Sequence, residues 1–283
     1  MPYIQPFDPW KSSLCTCPPK YSLNPYTGCG HRCLYCYATS FIKNFYKPRP
    51  KKNFLKIVER ELKKLPENSL ISLSNSSDPY QPLESTYKYT RKFLELLVEK
   101  NYRILIITKS DLILRDLDLL KNLRCAVSIT ITSKNLSSKL EPGAPSYERR
   151  INAIKSLYKA NIPVSVRLDP VIPGLNEKET LEILDEVAPF VKHITASTYK
   201  AKPDSLRRLG DFFPEKRVFW EKLYLKEGKR LGNAIYLKDK IRYELINPLY
   251  KKAKEYKISF ATCREALKMF ENPGKCDGSF LIF

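Results

Sequence analysis

Residues 103–132, RILIITKSDLILRDLDLLKNLRCAVSITIT, contain one complete unit of the fold. Two apolar runs rich in β-branched residues, at 103–108 and 125–132, flank a segment at 112–122 whose apolar residues recur at helical spacing. Short apolar runs bounded by polar residues are typical of buried strands. A strand, a helix and a strand at this spacing predict two parallel strands joined by a helical crossover.

The same alternation continues on both sides of this stretch. Further strands are predicted at 21–23, 70–73, 163–168 and 191–196, and further helices at 87–100, 147–160 and 177–187. About six strand–helix units result, fewer than the eight of a complete barrel. We therefore predict an open, partial (β/α)6 TIM-type barrel, with a doubly wound α/β sheet as the alternative. In both folds a ligand binds where the parallel strands end at their carboxyl side.

Three parts of the chain differ in character. We predict an N-terminal extension at 1–20, the barrel core at 21–200 and a helical, basic C-terminal extension at 201–283. Residues 200–257 hold 17 Lys or Arg against 8 Asp or Glu, interleaved with Phe212, Phe213, Phe219, Trp220, Tyr224, Tyr236, Tyr243, Tyr250 and Tyr256. Basic residues among aromatic ones suit a nucleic-acid groove. Amphipathic helices that pack their aromatic side chains on the barrel are the alternative.

The whole chain is strongly basic. Its 283 residues include 50 Lys and Arg against 30 Asp and Glu, a formal net charge of +20. Such an excess attracts polyanions, of which nucleic acid is the usual one. A Lys-rich composition that only solvates helices is the alternative. No apolar run approaches the roughly 18 residues of a membrane span, and the N-terminus lacks the apolar core of a signal peptide, so a cytoplasmic protein is expected.

Eight cysteines in such a chain indicate metal or redox chemistry rather than disulfides. Cys29, Cys33 and Cys36 lie within eight residues, in NPYTGCGHRCLYCYATS. Their thiolates can surround one soft-metal centre, and Gly28 and Gly30 let the backbone curve around it. A cubane iron–sulfur cluster normally has four Cys ligands, so three ligands leave one iron open. An open coordination position makes a metal catalytic rather than structural.

A zinc site is the alternative, with His31 as a fourth ligand. His31 lies only two residues from both Cys29 and Cys33, and the paired Cys-x-x-Cys motifs of zinc sites are absent from the sequence. The iron–sulfur cluster is therefore the favoured prediction. Cys125, inside the apolar run CAVSITI, is expected to be a buried structural thiol.

The motif Cys-x-x-x-Cys-x-x-Cys, with Tyr35 before its last cysteine, resembles the radical S-adenosylmethionine superfamily. The segments SNSSDPYQPLE, ITKSD, VSITIT, EPGAPSYERRINAIKSLYKANIPVSVRLDPVIPG and CDGSFLIF resemble its group related to spore photoproduct lyase, from about residue 21 to the end. The resemblance implies a 4Fe–4S cluster on the three cysteines and S-adenosylmethionine on the open iron. It also implies a reducing donor such as ferredoxin or flavodoxin, and a lyase or transferase that forms a 5′-deoxyadenosyl radical.

The resemblance further implies roles for side chains at successive strand ends. Tyr35 would pack against the adenine of S-adenosylmethionine. The methionine ammonium would be bound by short oxygen side chains, namely Ser76, Ser77 and Asp78. The carboxylate or the ribose would be contacted by polar and cationic side chains, namely Lys109, Ser128, Arg150 and Arg167. Spore photoproduct lyase has a hydrogen-donating cysteine in the segment that matches SNSSD, whereas Asn75 occupies that position here. A thymine-dimer lyase that uses this donor is therefore not expected.

Four cysteines remain outside this motif: Cys15, Cys17, Cys263 and Cys276. Four soft ligands suffice for a second iron–sulfur cluster or a zinc ion, and the two chain ends could meet on one side of the domain. The alternative is that the first two cysteines are exposed and the other two are packed.

The sequence leaves three hypotheses for the function. The first is a radical enzyme that modifies or repairs DNA or RNA. The second is a radical enzyme that acts on a protein or a small molecule. The third is a zinc-stabilised nucleic-acid-binding module without catalysis.

Overall fold

The protein is described here by a computed structural model that covers residues 2–7, 14–73, 75–270 and 276–283. Its strands, in chain order, are β1 (Gln5–Pro6), β2 (Tyr21–Leu23), β3 (Tyr26–Thr27), β4 (Arg49–Pro50), β5 (Leu70–Leu73), β6 (Arg103–Thr108), β7 (Arg124–Thr130), β8 (Val164–Val171), β9 (His193–Thr198), β10 (Lys229–Leu231), β11 (Ala234–Tyr236) and β12 (Ser259–Thr262).

Most of the α-helices connect successive strands of the main sheet along the chain. They are α1 (Phe54–Leu62), α2 (Glu84–Tyr87), α3 (Tyr89–Glu95), α4 (Leu117–Leu120), α5 (Ser137–Leu140), α6 (Tyr147–Lys159), α7 (Glu177–Val187), α8 (Pro203–Phe212), α9 (Pro214–Glu221) and α10 (Asp239–Glu255).

One eight-stranded sheet forms the frame of the molecule, in the order β1-β2-β5-β6-β7-β8-β9-β12. All neighbours from β2 to β12 are parallel, and β1 adds an antiparallel edge. The parallel strands follow chain order without reversal, whereas a doubly wound sheet reverses direction at a switch point. Within the described ranges β1 and β12 are the two edges, so the barrel is open. The predicted partial barrel is confirmed.

The parallel strand β12 lies within the predicted C-terminal extension. Its four residues pair with β9, with Ser259 opposite His193 and Thr262 opposite Ala196. The extension is therefore not only helical, and it also contains the hairpin β10–β11. A four-residue run has too little periodicity to be distinguished from a loop without knowledge of its pairing partner. The barrel accordingly has seven parallel strands where six were predicted.

Two predicted helices are shorter than expected. Residues 87–100 are interrupted at Lys88, which has φ 54° and separates α2 from α3. Residues 112–122 begin as a 3-10 helix, Asp111–Asp116, because the Ser110 side chain accepts from Leu112 N at 3.2 Å and caps this turn. The helix predicted at 177–187 is confirmed as α7.

The two faces of the barrel wall differ in polarity. Residues that point towards the helices, such as Ile104, Val127 and Ile194, belong to one large apolar core. Alternate residues point into the barrel, and several of these are small and polar. Ser128 and Ser165 pair across β7 and β8 and are fully buried. A polar interior of this kind directs the chemistry to the strand ends.

The last residues of the chain close the amino-terminal end of the barrel. Leu281 and Ile282 pack against Leu70, Leu105 and Ala126 in a small apolar cluster. The opposite, carboxyl-terminal end is the mouth at which a ligand can enter.

Candidate active site at the carboxyl ends of the strands

The cysteine loop, residues 28–37, begins directly after β3. Gly28 has φ +80°, and a Cβ there would lie 2.4 Å from the carbonyl oxygen of Phe45. Only glycine tolerates both conditions. Cys29 N then donates to the same Phe45 oxygen at 2.9 Å, so the first cysteine is fixed by backbone contacts.

The end of α5 and the turn after it contact the cysteine loop on its other side. Leu34 N donates to Leu140 O at 2.9 Å, and Gly143 N donates to His31 O at 3.0 Å. A Cβ on Gly143 would lie 2.0 Å from Gly30 O, so the two backbones touch. The two segments are more than 100 residues apart in the chain, and glycine at 143 makes this approach possible.

The three thiols of the loop are neighbours in a buried setting. Cys29 and Cys33 are buried and Cys36 is partly exposed. Burial raises the pKa of Cys29 to about 12, and burial together with the Glu141 charge raises the pKa of Cys33 well above its usual value. The charges of Cys36 and Cys29 add to the shift at Cys33. Metal binding replaces such protons, because the thiolate is the ligand.

Two cations lie beside the last cysteine of the loop. Burial raises the pKa of Cys36, while the charges of Lys109 and Arg208 oppose that rise. Arg208 Nη2 donates to Cys36 O at 2.9 Å and its Nε donates to Leu34 O at 3.1 Å. Asp204 accepts from Arg208 Nη1 at 2.8 Å and also from two hydroxyls of residues 39–40. Helix α8 therefore clamps the loop from outside.

A carboxylate that sequence reasoning missed anchors the loop from inside. Glu141 is fully buried and accepts from the Tyr35 hydroxyl and from Thr132 Oγ1. Its Oε2 pairs with Arg150 Nη1 at 2.5 Å and its Oε1 lies 3.7 Å from Lys109 Nζ. These cations and hydrogen bonds outweigh burial and lower the pKa of Glu141 to about 2. A lone glutamate before Pro142 carries no sequence signal for this role.

Arg150 and Asp78 serve the frame of the site. Arg150 is fully buried and, besides Glu141, donates to Pro145 O at 2.9 and 3.0 Å. Asp78 accepts from Thr108 Oγ1 at 2.7 Å and Lys109 N at 2.8 Å, which joins the β5 and β6 ends. Both groups are buried and have protein partners, and their expected contacts to S-adenosylmethionine stay predictions.

The serines after β5 differ in their surroundings. Ser77 Oγ donates to Gly28 O at 2.6 Å and so ties this segment to the start of the cysteine loop. Asn24 Oδ1 accepts from the backbone N–H groups of Asn75, Ser76 and Ser77 at 3.1 to 3.2 Å. Among the three expected ammonium ligands, Ser76 is the one whose side-chain oxygen makes no hydrogen bond within the described ranges.

Three further predicted residues line the mouth or the interior. Lys109 is 15% exposed and lies 5.8 Å from the Tyr35 ring centroid. Arg167, at 11% exposure, pairs with Asp169 Oδ2 at 2.9 Å. The hydroxyl of Ser128 is buried and has no hydrogen-bond partner within the described part of the chain. Two cations and one unsatisfied hydroxyl thus border the space that a polar ligand would fill.

His31 does not join the cysteines as a ligand in this arrangement. It is 1% exposed, and its Nδ1 lies 3.4 Å from Asp78 Oδ2. Across the residues that the structure describes, no three His, Cys, Asp or Glu side chains are placed to hold a single metal ion. The contact with Asp78 therefore gives no support to His31 as a fourth zinc ligand.

The site now has a recognisable form: three cysteines on one loop, over the carboxyl ends of parallel strands in an open barrel. The sequence model of the radical SAM superfamily matches residues 23–187, more than half of the chain. The chain belongs to the radical SAM superfamily. Members of this superfamily use a 4Fe–4S cluster and S-adenosylmethionine, and this chain is accordingly a radical SAM enzyme.

Several curated proteins resemble this radical SAM enzyme. A Methanocaldococcus jannaschii protein is 36% identical over 178 residues, which are 60% of this chain and 67% of the relative. A protein of Acidianus two-tailed virus is 29% identical over 57% of this chain and 59% of its own. The radical SAM Nalpha-GlyT isomerase of Pseudomonas phage M6 is 27% identical over 85% of this chain and 53% of its own. The chain thus spans about half to two thirds of these relatives.

Solved structures share the fold. Spore photoproduct lyase with bound AdoMet and dinucleoside spore photoproduct superposes with a TM-score of 0.70 at 19% identity, over 86% of this chain and 75% of the lyase. Streptococcus suis SuiB bound to S-adenosylmethionine gives 0.56 at 15% identity, over 85% of this chain and 49% of SuiB. At these identities the likeness concerns the fold. No helix in the described ranges has the length and apolar character needed to cross a bilayer.

The residues present fit the two cofactors that the family implies. The loop presents three soft thiols, which are the ligands that iron–sulfur clusters take. Lys109 and Arg167 supply positive charge for a carboxylate, and Ser128 supplies a buried hydroxyl without a partner. An anionic and hydroxyl-rich ligand at the mouth would satisfy these groups.

Three of the other cysteines of this radical SAM enzyme lie together, and two lie apart from them. Cys17 and Cys276 lie with their Sγ atoms 3.2 Å apart, and the Cys15 thiol interacts with that of Cys17. Cys263 instead contacts Arg167. Cys125 is buried, and its thiol donates to Leu120 O at 3.4 Å, as a structural thiol would.

Proposed function

We propose that this radical SAM enzyme holds its 4Fe–4S cluster through Cys29, Cys33 and Cys36 and modifies or repairs nucleic acid. The observation that carries the proposal is the buried three-cysteine loop at the carboxyl ends of the parallel strands. When bound, the cluster and S-adenosylmethionine supply an electron and a 5′-deoxyadenosyl group, whose carbon–sulfur bond breaks to give the radical.

The chain's own residues bind and orient these groups. The loop is held from inside by Glu141, through Tyr35, and from outside by Arg208. Lys109 and Arg167 are the accessible cations for the methionine carboxylate or the ribose. Tyr35 is fixed by Glu141 and offers a flat face for adenine. Buried Arg150 and Asp78 position these groups.

Exposed aromatic side chains beside the mouth support a nucleic-acid substrate. Tyr37 and Phe41 are 49% and 48% exposed, and their ring centroids are 5.9 Å apart. They follow the last cysteine of the loop directly. Unpaired bases stack on such rings, and the net charge of +20 attracts their phosphates. In the C-terminal extension the aromatic side chains divide: Phe213, Trp220, Tyr224 and Tyr236 are buried, as the packing alternative expects, whereas Phe212, Phe219, Tyr243 and Tyr256 are exposed.

One protein of similar fold supports the same substrate class. Spore photoproduct lyase has been solved with a dinucleoside photoproduct, and its fold matches most of this chain. A protein or a small molecule as substrate is the competing proposal. A reducing donor such as ferredoxin or flavodoxin, and a cytoplasmic location, complete the proposal.

A second metal centre on the spare cysteines has weaker support. Cys15, Cys17 and Cys276 are neighbours, but Cys263 contacts Arg167 instead of completing a four-thiol set. We leave this centre out of the proposed function.

The test begins with anaerobic reconstitution of the full chain. Formation of 5′-deoxyadenosine after reduction is measured with and without DNA and RNA. We expect nucleic-acid binding that weakens steeply with salt, and stimulated 5′-deoxyadenosine formation. A reducible cluster that gives no 5′-deoxyadenosine would contradict the cofactor assignment. Activity without any binding of DNA or RNA at low salt would contradict only the substrate assignment.

A matched pair of variants tests the stacking surface. Phe41→Ala removes an aromatic ring beside the mouth, and Tyr158→Ala removes an equally exposed ring, 49%, on helix α6. Each ring lies next to another aromatic ring. We expect Phe41→Ala to weaken single-strand binding about 10-fold, with no change for Tyr158→Ala. Equal effects of the two substitutions would remove this support.

A further inference from the structure

Cys17 and Cys276 lie side by side although 259 positions separate them in the sequence. Their Sγ atoms are 3.2 Å apart, whereas a disulfide has an S–S distance of about 2.05 Å. An approach of about 1 Å would therefore join them. Cys17 precedes β2, and Cys276 precedes the segment that closes the amino-terminal end of the barrel.

Fixed contacts hold the backbone beside both thiols. Lys20 Nζ and Asp277 Oδ2 form a buried ion pair, three residues after Cys17 and one residue after Cys276. Thr195 Oγ1 donates to Cys276 O at 2.8 Å. The two sulfurs therefore meet because the folded barrel positions them.

The two thiols differ in access to solvent. Cys276 is 3% exposed, whereas Cys17 is partly exposed and can meet a small molecule. The hydrogen bond with Cys15 and the charge of Lys20 lower the pKa of Cys17, but the hydrogen bond with Cys276 and burial outweigh them and raise it to about 12. Because Cys17 is the more exposed of the two thiols, it is the one that a small oxidant reaches first, and Cys276 is placed to react second.

We propose that Cys17 and Cys276 are a redox pair that forms a reversible disulfide between the N-terminal segment and the closing segment of the barrel. The Cys17 thiolate attacks a low-molecular-weight disulfide such as oxidised glutathione and releases one small thiolate. Cys276 then loses its proton and attacks the Cys17 sulfur, which releases the second small thiolate. Two electrons pass from the cysteines to the small disulfide, and two protons end on the released thiols.

The bond would tie together two ends of the structure. Leu281 and Ile282, a few residues after Cys276, pack inside the barrel against Leu105. A cross-link between segments so distant in the chain strongly restricts the unfolded state. Oxidation should therefore raise the melting temperature, by about 10 °C.

The full chain is treated anaerobically with oxidised glutathione, then alkylated and digested without reductant. We expect a cross-linked peptide pair that contains Cys17 and Cys276 and disappears after reduction with dithiothreitol. Cys17→Ser and Cys276→Ser should each abolish the pair, whereas the control Cys125→Ser, at a buried cysteine away from it, should retain it. Free thiols at both positions under excess oxidant would overturn the proposal, as would a Cys15–Cys17 bond in place of the pair.

A variant without Cys29, Cys33 and Cys36 separates this pair from the catalytic cluster. We expect that variant, with Ser at the three positions, to carry no stoichiometric zinc or iron and still to form the cross-link. Metal retained in that background and lost on Cys17→Ser would identify these thiols as metal ligands and overturn the redox assignment. If that variant does not fold, metal and thiol content of Cys17→Ser are compared with those of the wild-type chain.

Discussion

Two buried glutamates of this structure have closely similar sets of partners. Glu141 is paired with Arg150 and Lys109 and accepts from Thr132. Glu265 is paired with Arg242 and Lys200 and accepts from Thr198 N at 2.7 Å. Both carboxylates are almost fully buried, and each has one buried arginine and one partly exposed lysine.

The two glutamates differ in the structural elements that they contact. Glu141 also accepts from Tyr35 and so reaches into the cysteine loop. Glu265 instead binds Thr198, Lys200 and Arg242, which joins the end of β9 to helix α10. Two networks of the same composition therefore hold different elements, the cysteine loop in one case and β9 with α10 in the other. We expect only the Glu141 network to affect catalysis.

The largest difference in effect is expected between two cysteines, one beside each glutamate network. Cys33 lies near Glu141, and Cys263 lies near Lys200. We expect Cys33→Ser to lose the cluster and to lower 5′-deoxyadenosine formation more than 100-fold, because two thiolates hold a cubane poorly. Cys263→Ser should keep the cluster, because Cys263 lies outside the three-cysteine loop. Iron content and product formation are measured on both variants, and retention of a full cluster in Cys33→Ser would break the assignment.

The glutamates themselves give the next contrast. Glu141→Gln and Glu265→Gln each leave a buried arginine without its countercharge, which costs about 3–5 kcal/mol of unfolding free energy. Denaturant unfolding should show similar losses for both. Only Glu141→Gln should also slow 5′-deoxyadenosine formation, by about 10-fold or more, because it releases Tyr35. Similar activity losses at matched stability would show that the two networks do not differ in function.

The two lysines sharpen the comparison without removing a buried charge. Lys109→Met should raise the Kd for S-adenosylmethionine about 10-fold or more, since a charge-assisted contact contributes about 1.5–3 kcal/mol. Lys200→Met should leave that Kd unchanged. Calorimetry on the reconstituted enzymes distinguishes the two, and equal Kd values would remove Lys109 from the ligand site.

The smallest effect concerns the outer clamp of the cysteine loop. Hydrogen bonds from the hydroxyls of residues 39–40 and from Arg208 hold the pKa of Asp204 at about 2 against the opposing effect of its partial burial. Because this pKa is depressed, the contribution is present above the unfolded value near 3.8 and is lost as pH falls towards 2. The group is partly solvated, so we expect about 1 kcal/mol.

The measurement is unfolding free energy against pH for the wild type and Asp204→Asn. The difference between the two should shrink between pH 4 and pH 2. A difference that does not change with pH would show that the carboxylate charge has no part in the clamp.

The sequence by itself determined the order of strands and helices, because hydrophobic period and turn residues are local properties. It determined the three-cysteine motif for the same reason, since ligands within eight residues need no distant partner. Lys109 and Arg167 were expected as ligands from the resemblance to the superfamily. Their role as ligands to S-adenosylmethionine stays a prediction.

Only the tertiary structure decided which of the other polar residues support the site and which face it. Glu141 meets Tyr35 across 106 positions and Gly143 meets Gly30 across 113, and no local pattern encodes such contacts. Arg150 and Asp78, which the family resemblance offers as ligands, also have buried protein partners that the sequence does not reveal. The short strand β12 and the Cys17–Cys276 contact likewise depend on segments distant in the chain. Burial and partner choice arise from packing, and packing exists only once the barrel has formed.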